Sequence, residues 1–275
     1  MITSTANSKV KHVVTLQEKS RARAKEQIFI VEGLKMFEEA PIERMQELYI
    51  EEKLYQSLSN QAVLDKIKTC REQGIFVETV SEEVFAKMSD TKSPQGILCL
   101  MKQYAYEGEQ LIKEAAAKKR KGGKAPLFLL LEDIQDPGNL GTMIRTAEGA
   151  GADGIFMSRT TVDIYNPKTI RSTMGSLYRM PFVYLDELSE GIALLQKEDI
   201  KVYAAHLKGE KYYHEFTYEE GAAFLIGNEG NGLKKETADL ADCYLKIPME
   251  GKLESLNAAV AAALLMYQAA IKRYE

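Results

Sequence analysis

Short apolar runs alternate along most of the chain with longer stretches whose apolar positions recur at three- and four-residue spacing. The first pattern predicts buried strands and the second amphipathic helices. Residues 8–25 predict a polar, basic helix with Val10, Val13, Val14 and Leu16 on its apolar side. Strands at 27–31, 47–50, 75–79 and 96–101 then alternate with helices at 34–40, 61–73 and 82–88. That succession predicts a compact α/β domain over residues 1–105, within the usual size of a domain.

From Tyr104 the pattern changes to YAYEGEQLIKEAAAKKRKGGKA. Alanine, glutamate and lysine favour helix in its first part, but 118–124 is basic, contains glycine and has no apolar side to bury. Residues 106–125 therefore read as a basic linker. Beyond it, the LFLLL run at 127–131 lacks polar alternation, the mark of a central parallel strand covered on both faces. Further strands are expected at 154–158, 181–184, 202–205, 222–226 and 244–247, with helices at 140–150, 168–177, 189–196 and 234–240. Residues 126–275 thus predict a doubly wound α/β domain. The last helix, 256–273, carries Val260, Leu264, Leu265, Tyr267 and Ile271 on more than one side, so it is buried or packs on a partner chain.

Three loops at strand ends concentrate the candidate chemistry. LIGNEGNGL at 225–233 puts Gly227, Gly230 and Gly232 in the turn leaving an apolar strand. Glycines permit positive φ and carry no Cβ, so main-chain groups there can face a ligand; a ligand-free tight turn explains this stretch alone equally well. LKIPMEGKLESLNAA at 245–259 ends a strand near Pro248 and enters a helix for which Ser255 is a plausible N-cap. DIQDPGNLGTMIRTAEGAG at 133–151 starts a helix with Leu140, Met143, Ile144 and Ala147 on one face, while Arg145 falls off that face and Asn139 is a candidate N-cap.

Composition narrows the classes. A chain of 275 residues with 45% hydrophobic residues builds a real core. A net charge of -4 and a pI of about 5.7 argue against bulk electrostatic binding of nucleic acid and leave local patches. One lies between Met1 and Lys35: Lys9, Lys11, Lys19, Arg21, Arg23, Lys25 and Lys35 face only Glu18, Glu26 and Glu32, a run that reads first as a solvated helix face. Cys70, Cys99 and Cys243 form no CxxC pair, and His12, His206 and His214 are scattered, so no metal site is expected and a reducing cytoplasm fits. Neither a leader nor a membrane span is expected from the apolar runs.

Together the loops resemble something specific. Asn139 to Ala147, Ile226 to Leu233, and Ile247-Pro248-Met249 with Glu254 to Ala261 look like motifs 1, 2 and 3 of the SpoU (TrmH-type) RNA 2'-O-ribose methyltransferases, in order and without a break. Ile28 to Gly33 and Ser93 to Gly96 are similar to the L7Ae/L30e-like substrate-binding domain often fused to them. The resemblance implies a parallel-sheet SPOUT domain with a carboxyl-terminal trefoil knot, preceded by a smaller α/β domain. It also implies S-adenosyl-L-methionine as cofactor, homodimerisation through the methyltransferase domain, and methyl transfer to a ribose 2'-hydroxyl of RNA. The domain arrangement leans to ribosomal over transfer RNA. By the same resemblance, Ile226, Gly227, Gly230, Ile247, Pro248, Leu256 and Asn257 would hold the cofactor, and Asn139, Arg145, Glu229, Ser255 and Asn257 would form the catalytic set. An arginine is an awkward base because its guanidinium stays protonated, so Arg145 is expected to clamp phosphate and stabilise alkoxide charge, with Glu229 orienting its neighbours.

Two rival classes stand beside this one. A non-catalytic RNA-binding or ribosome-assembly protein would keep the first domain. An NAD- or ATP-binding enzyme would use a glycine turn, but GNEGNG is neither G-x-G-x-x-G nor a phosphate loop. The polar stretch from Tyr165 to Ser176 is a candidate to line the RNA side of the cleft, and equally a plain helix start.

Overall fold

The computed structural model describes residues 1–206, 208–253 and 255–272. The chain divides into two compact units, one of Met1–Tyr104 with Asp163–Tyr178, the other of Ala105–Val162 with Arg179–Glu275.

The first unit contains α1 (Ser8–Glu18), α2 (Ser20–Glu26), β1 (Ile28–Glu32), α3 (Leu34–Glu39), β2 (Met45–Glu51), α4 (Glu52–Ser57), α5 (Gln61–Glu72), β3 (Phe76–Val80), α6 (Glu82–Met88) and β4 (Ile97–Lys102). Its four-stranded sheet has the order β1-β4-β2-β3, with β4 antiparallel to both neighbours and β2 parallel to β3. Val10, Val13 and Leu16 of α1 bury against Tyr49, Phe85 and Leu98. The single helix expected over 8–25 is two helices, because the backbone at Lys19 is extended (φ -118°, ψ 107°). The break turns Arg23 inward. Its guanidinium donates to the carbonyls of Leu16 (2.7 Å) and Gln17 (3.0 Å), which the end of α1 leaves without helical partners, and pairs with Asp163 at 2.5 Å. Arg23 is 3% exposed, so one member of the basic run is a buried structural group, not part of a solvated face.

Residues 163–178, inside the range expected for the second domain, pack with this first unit. Tyr165 packs on Phe29 with ring centres 4.8 Å apart and the rings tilted by 31°, and its hydroxyl accepts the amide of Tyr104 at 2.7 Å. The helix expected over 168–177 ends at Thr173, since Met174 (φ 51°) and Gly175 (φ 95°) are left-handed.

The remaining elements, in chain order, are α7 (Gly108–Arg120), β5 (Leu127–Leu131), α8 (Pro137–Gly149), β6 (Gly154–Ser158), α9 (Pro167–Thr173, of the first unit), β7 (Phe182–Leu185), α10 (Leu188–Lys197), β8 (Lys201–Ala205), β9 (Lys211–Tyr212), β10 (Ala222–Ile226), α11 (Lys235–Ala238), β11 (Cys243–Lys246) and α12 (Ala258–Lys272). The strands form one parallel sheet in the order β7-β6-β5-β10-β8-β11-β9. β5 and β10 are buried along their whole length and lie side by side, Leu131 opposite Ile226. One face is covered by Ile112 and Ala115 of α7 with Leu188, Ile192 and Leu195 of α10; α12 packs on β5, β10 and α8.

Part of the stretch expected as a linker is therefore a packed helix. Its Ile112, Ala115 and Ala116 recur at helical spacing and bury, while Lys118, Lys119 and Arg120 end it, where cations suit the carboxyl terminus. The helix expected from 256 begins two residues later, and its expected end at Arg273 lies outside the described residues. Among the described residues no helix is long and apolar enough to cross a membrane.

Candidate functional site

The strand order changes direction between β5 and its β10 neighbour, and ligands of open parallel sheets bind outside the carboxyl ends of strands at such a switch. The loops after β5, β10 and β11 meet there. At the first, Asp136 caps α8 by accepting the amide of Asn139 at 2.8 Å, with Pro137 opening the helix. Asn139 is thus not the cap, and its side chain is left for other partners.

Those partners join all three loops. The Glu229 carboxylate accepts the main-chain amides of Gln135 and Asp136, each at 3.1 Å, and the side-chain amide of Asn139 at 3.0 Å. Asn257 caps α12, its Oδ1 accepting from Ala259 (2.9 Å) and Val260 (3.3 Å). Its Nδ2 donates to Asn139 Oδ1 at 3.1 Å. Because the cap fixes which way the Asn257 amide faces, the whole relay has one direction, Asn257 to Asn139 to Glu229. It ends on a carboxylate that only accepts. Partial burial pushes the Glu229 carboxyl upward, but Asn139 and the backbone amides prevail and hold it below the usual glutamate range. Ser255, expected as the cap of the last helix, is an exposed loop residue instead, two positions before the cap that forms.

The 227–233 turn closes mainly on itself. Asn228 and Gly232 exchange main-chain hydrogen bonds (3.1 and 2.9 Å), while Asn228 Oδ1 accepts from Gly230 (2.9 Å) and Asn231 (3.0 Å). A Cβ on Gly227 would lie 2.2 Å from the Gly232 carbonyl carbon and from the Leu233 nitrogen. Of the three glycines only Gly232 has positive φ, 69°. The expectation of positive φ holds for Gly232 alone, and Gly227 also lets the turn cross itself, since a Cβ there would meet main chain.

Residues not foreseen anchor this turn. Asn228 Nδ2 donates to the carbonyl of Asp133 (2.8 Å), and Asp133, left-handed at φ 56°, pairs with Lys234 at 2.8 Å. Glu132, 3% exposed, accepts the Lys234 amide (2.8 Å) and the Thr237 hydroxyl (2.5 Å). The carboxylates directly after an apolar strand were the available signal, since a charge placed there must find partners.

A cavity of about 450 Å³ opens beside the turn, within the roughly 300–1,000 Å³ usual for small-molecule sites. Ile226, Gly227, Gly230, Ile247 and Leu256, all expected at a cofactor, line it, and so does Ser255. Pro248 and Asn257 are not among its lining residues; His206 and Met249 are, and neither was foreseen there. Its wall combines main chain of two glycine-bearing or strand-end loops with apolar side chains, which suits a flat heterocycle carrying a polar tail. Arg145 projects from α8 into solvent, with no hydrogen-bond or ion-pair partner among the described residues.

The model of the SpoU rRNA Methylase family matches residues 126–267, and that of the MRM3-like substrate binding domain matches 7–99. The 23S rRNA (guanosine(2553)-2'-O)-methyltransferase RlmP of Bacillus subtilis is 34% identical over 274 residues, 97% of each chain. The AdoMet-bound rRNA methyltransferase of Sinorhizobium meliloti superposes with a TM-score of 0.82 at 28% identity, covering 98% of this chain and 96% of that one. AviRb of Streptomyces viridochromogenes, a SpoU methyltransferase, shares the fold at a TM-score of 0.83 and 24% identity, over 98% of each chain.

Proposed function

This chain belongs to the SpoU rRNA methylase family, and we propose that the relay Asn257–Asn139–Glu229 builds its active site beside the 450 Å³ cavity. The protein is an S-adenosylmethionine-dependent RNA (ribose-2'-O-)-methyltransferase acting on ribosomal RNA. S-adenosylmethionine, when bound, supplies an electrophilic methyl carbon. Its adenine and methionine parts would be held by the main chain around Ile226, Gly227, Gly230, Ile247 and Leu256, and the cavity's size and apolar walls support that fit.

The chain's own residues then orient the ribose and manage charge. Glu229 is a positioning residue: a carboxylate saturated by three donors and held anionic is a poor proton acceptor, and a good fixed point for Asn139. Asn257 fixes Asn139 from the other side, and Ser255 offers its hydroxyl at the cavity wall. Arg145, exposed and unpaired among the described residues, clamps the phosphate next to the target and stabilises oxyanion charge as the hydroxyl proton passes to solvent water.

The finer assignments rest on the same relatives. The target is 23S rRNA, residues 1–105 bind it, and residues 126–275 carry out the transfer. The apolar side chains that α12 leaves exposed, Val260 (49%), Tyr267 (46%) and Ile271 (52%), support a homodimer closed through that helix. The packing of α12 across β5, β10 and α8 agrees with a knotted carboxyl end. The reaction takes place in the cytoplasm, where ribosomes are modified.

The experiment is methyl transfer from labelled S-adenosylmethionine to a 23S rRNA transcript, with the modified ribose mapped by primer extension at low nucleotide concentration. One 2'-O-methylated nucleotide is expected, and no incorporation by a protein that binds S-adenosylmethionine would overturn the reading. Arg145→Lys should cut kcat about a hundredfold, the scale of removing one oxyanion donor; near-normal turnover would remove the fork-shaped clamp from the mechanism.

A further inference from the structure

Within the first unit lies a second cavity, of about 220 Å³, between the turn after β1, the 91–95 loop and the end of α9. It is small for a drug-sized ligand and suits one flat ring. Its apolar wall is Met36, 6% exposed, and Met174, 39% exposed.

Met174 stands out there because its backbone is left-handed (φ 51°), a conformation that a methionine adopts only at a cost. The next residue, Gly175, is also left-handed and would set a Cβ 2.2 Å from a Glu39 carboxylate oxygen. The chain thus holds a soft, polarisable side chain out of the core and at the mouth of a cavity. The opposite wall is equally constrained: Gly33 (φ 109°) admits the Gln95 carboxamide, whose Oε1 accepts the Leu34 amide at 2.9 Å. That bond fixes the amide and leaves Nε2 as a donor with no partner among the described residues.

The charges at the rim are sorted in the same way. Glu32 is committed to the 89–91 loop, accepting from the Ser89 hydroxyl (2.6 Å), the Thr91 hydroxyl (2.8 Å) and the Asp90 amide (3.3 Å). Asp90 pairs with Arg171 at 2.8 Å, which aims that guanidinium along the rim. Lys35 and Lys92 are exposed and have no acidic partner among the described residues. An acidic chain that must hold RNA needs such local cations.

We propose that this cavity is a reading site for a single unstacked nucleotide of the RNA substrate. Its base stacks on Met174 and is read by Gln95 Nε2, while Lys35, Lys92 and Arg171 hold the flanking phosphates. Unstacked bases read by their edges are the general means of sequence recognition in RNA. The proposal rests on the RNA methyltransferase reading and adds a contact remote in sequence from the three motifs.

The test uses the full chain with a 23S rRNA transcript. Met174→Ala, Gln95→Ala and the double variant Lys35→Ala/Lys92→Ala change exposed side chains, so circular dichroism should match the parent. Each should raise KM for the transcript about tenfold, with kcat within about twofold and S-adenosylmethionine affinity unchanged. The double variant should also make the salt dependence of RNA binding shallower, by about 1.4 in logarithmic slope. Unchanged KM, or a loss in kcat alone, overturns the proposal. Ultraviolet cross-linking to total RNA supplies an arm that does not need turnover. Nucleotide adducts on peptides covering 32–36, 91–95 or 171–174 support the site, and adducts confined to other peptides overturn it. Absence of methylation with these adducts present would instead count against the catalytic reading.

Discussion

The turn after β1 and the turn after β10 solve one problem with different materials. Each leaves a strand through a glycine, and each is stapled by a glutamate that accepts three hydrogen bonds from a second loop. Glu32 takes two hydroxyls and one amide from 89–91; Glu229 takes two main-chain amides and Asn139 from 135–139. The glycines differ in what surrounds them. Gly227 faces main chain at 2.2 Å, whereas Gly33 faces the far end of a glutamine at 2.9 Å and is constrained mostly by its own φ. A glycine against backbone is irreplaceable because neither side can yield, and one against a side chain is costly but negotiable. The comparison also separates two uses of a glutamate at a loop, since a saturated carboxylate is a staple even where its position beside a cavity reads as catalytic.

The largest effect should come from Gly227→Ala. Forcing a Cβ into the turn costs about 3 kcal/mol, the upper part of the overpacking range, and should abolish S-adenosylmethionine binding by calorimetry while the first unit keeps its protease resistance. Gly33→Ala is the matched control. With its left-handed-side φ but a movable neighbour, it should cost about 2 kcal/mol in denaturant unfolding and leave cofactor affinity intact; equal losses in both variants would erase the distinction.

Thr237→Val sharpens the contrast from within the second unit. It removes the hydroxyl that Glu132 accepts and leaves a buried carboxylate one donor short, at a cost of about 1 kcal/mol, near the low end for an unsatisfied group. The smallest effect is one of pH. Glu229 titrates below its unfolded value, so what it contributes is present above the ordinary glutamate range and is lost as pH falls through the lower folded value. Cofactor affinity should be flat near neutrality and decline below about pH 4, and Glu229→Gln should flatten that acid limb. An affinity already falling at pH 6 would assign the limb to another group.

Much of the fold was legible because its signals are local. The apolar runs of β6 and β10 gave their bounds at 154–158 and 222–226 without tertiary information, since a strand buried on both faces has no polar position to blur its ends. The alanine-rich run before Lys272 likewise announced α12, whereas α8, expected from Leu140, begins three residues earlier at Pro137. What composition misjudged was context. α7 looked like a solvated linker because three buried residues are few beside its lysines, yet they fall on one stripe that the sheet covers. Arg23 looked like one cation among seven, and only the break at Lys19 turns it toward two orphaned carbonyls and Asp163, 140 residues away in sequence.

The candidate site divides in the same manner. Sequence by itself determined which residue types stand at the ends of β5, β10 and β11, because strand periodicity and glycine placement are properties of a few neighbouring residues. Only the tertiary structure decided what they do to one another: that Asn257 rather than Ser255 caps α12, that Asn139 is free of capping duty and joins Asn257 to Glu229, that Gly227 serves the turn's own crossing, and that Arg145 stands apart in solvent. Hydrogen-bond direction and burial depend on groups about a hundred residues apart meeting at 3.1 Å, and no local pattern encodes that meeting.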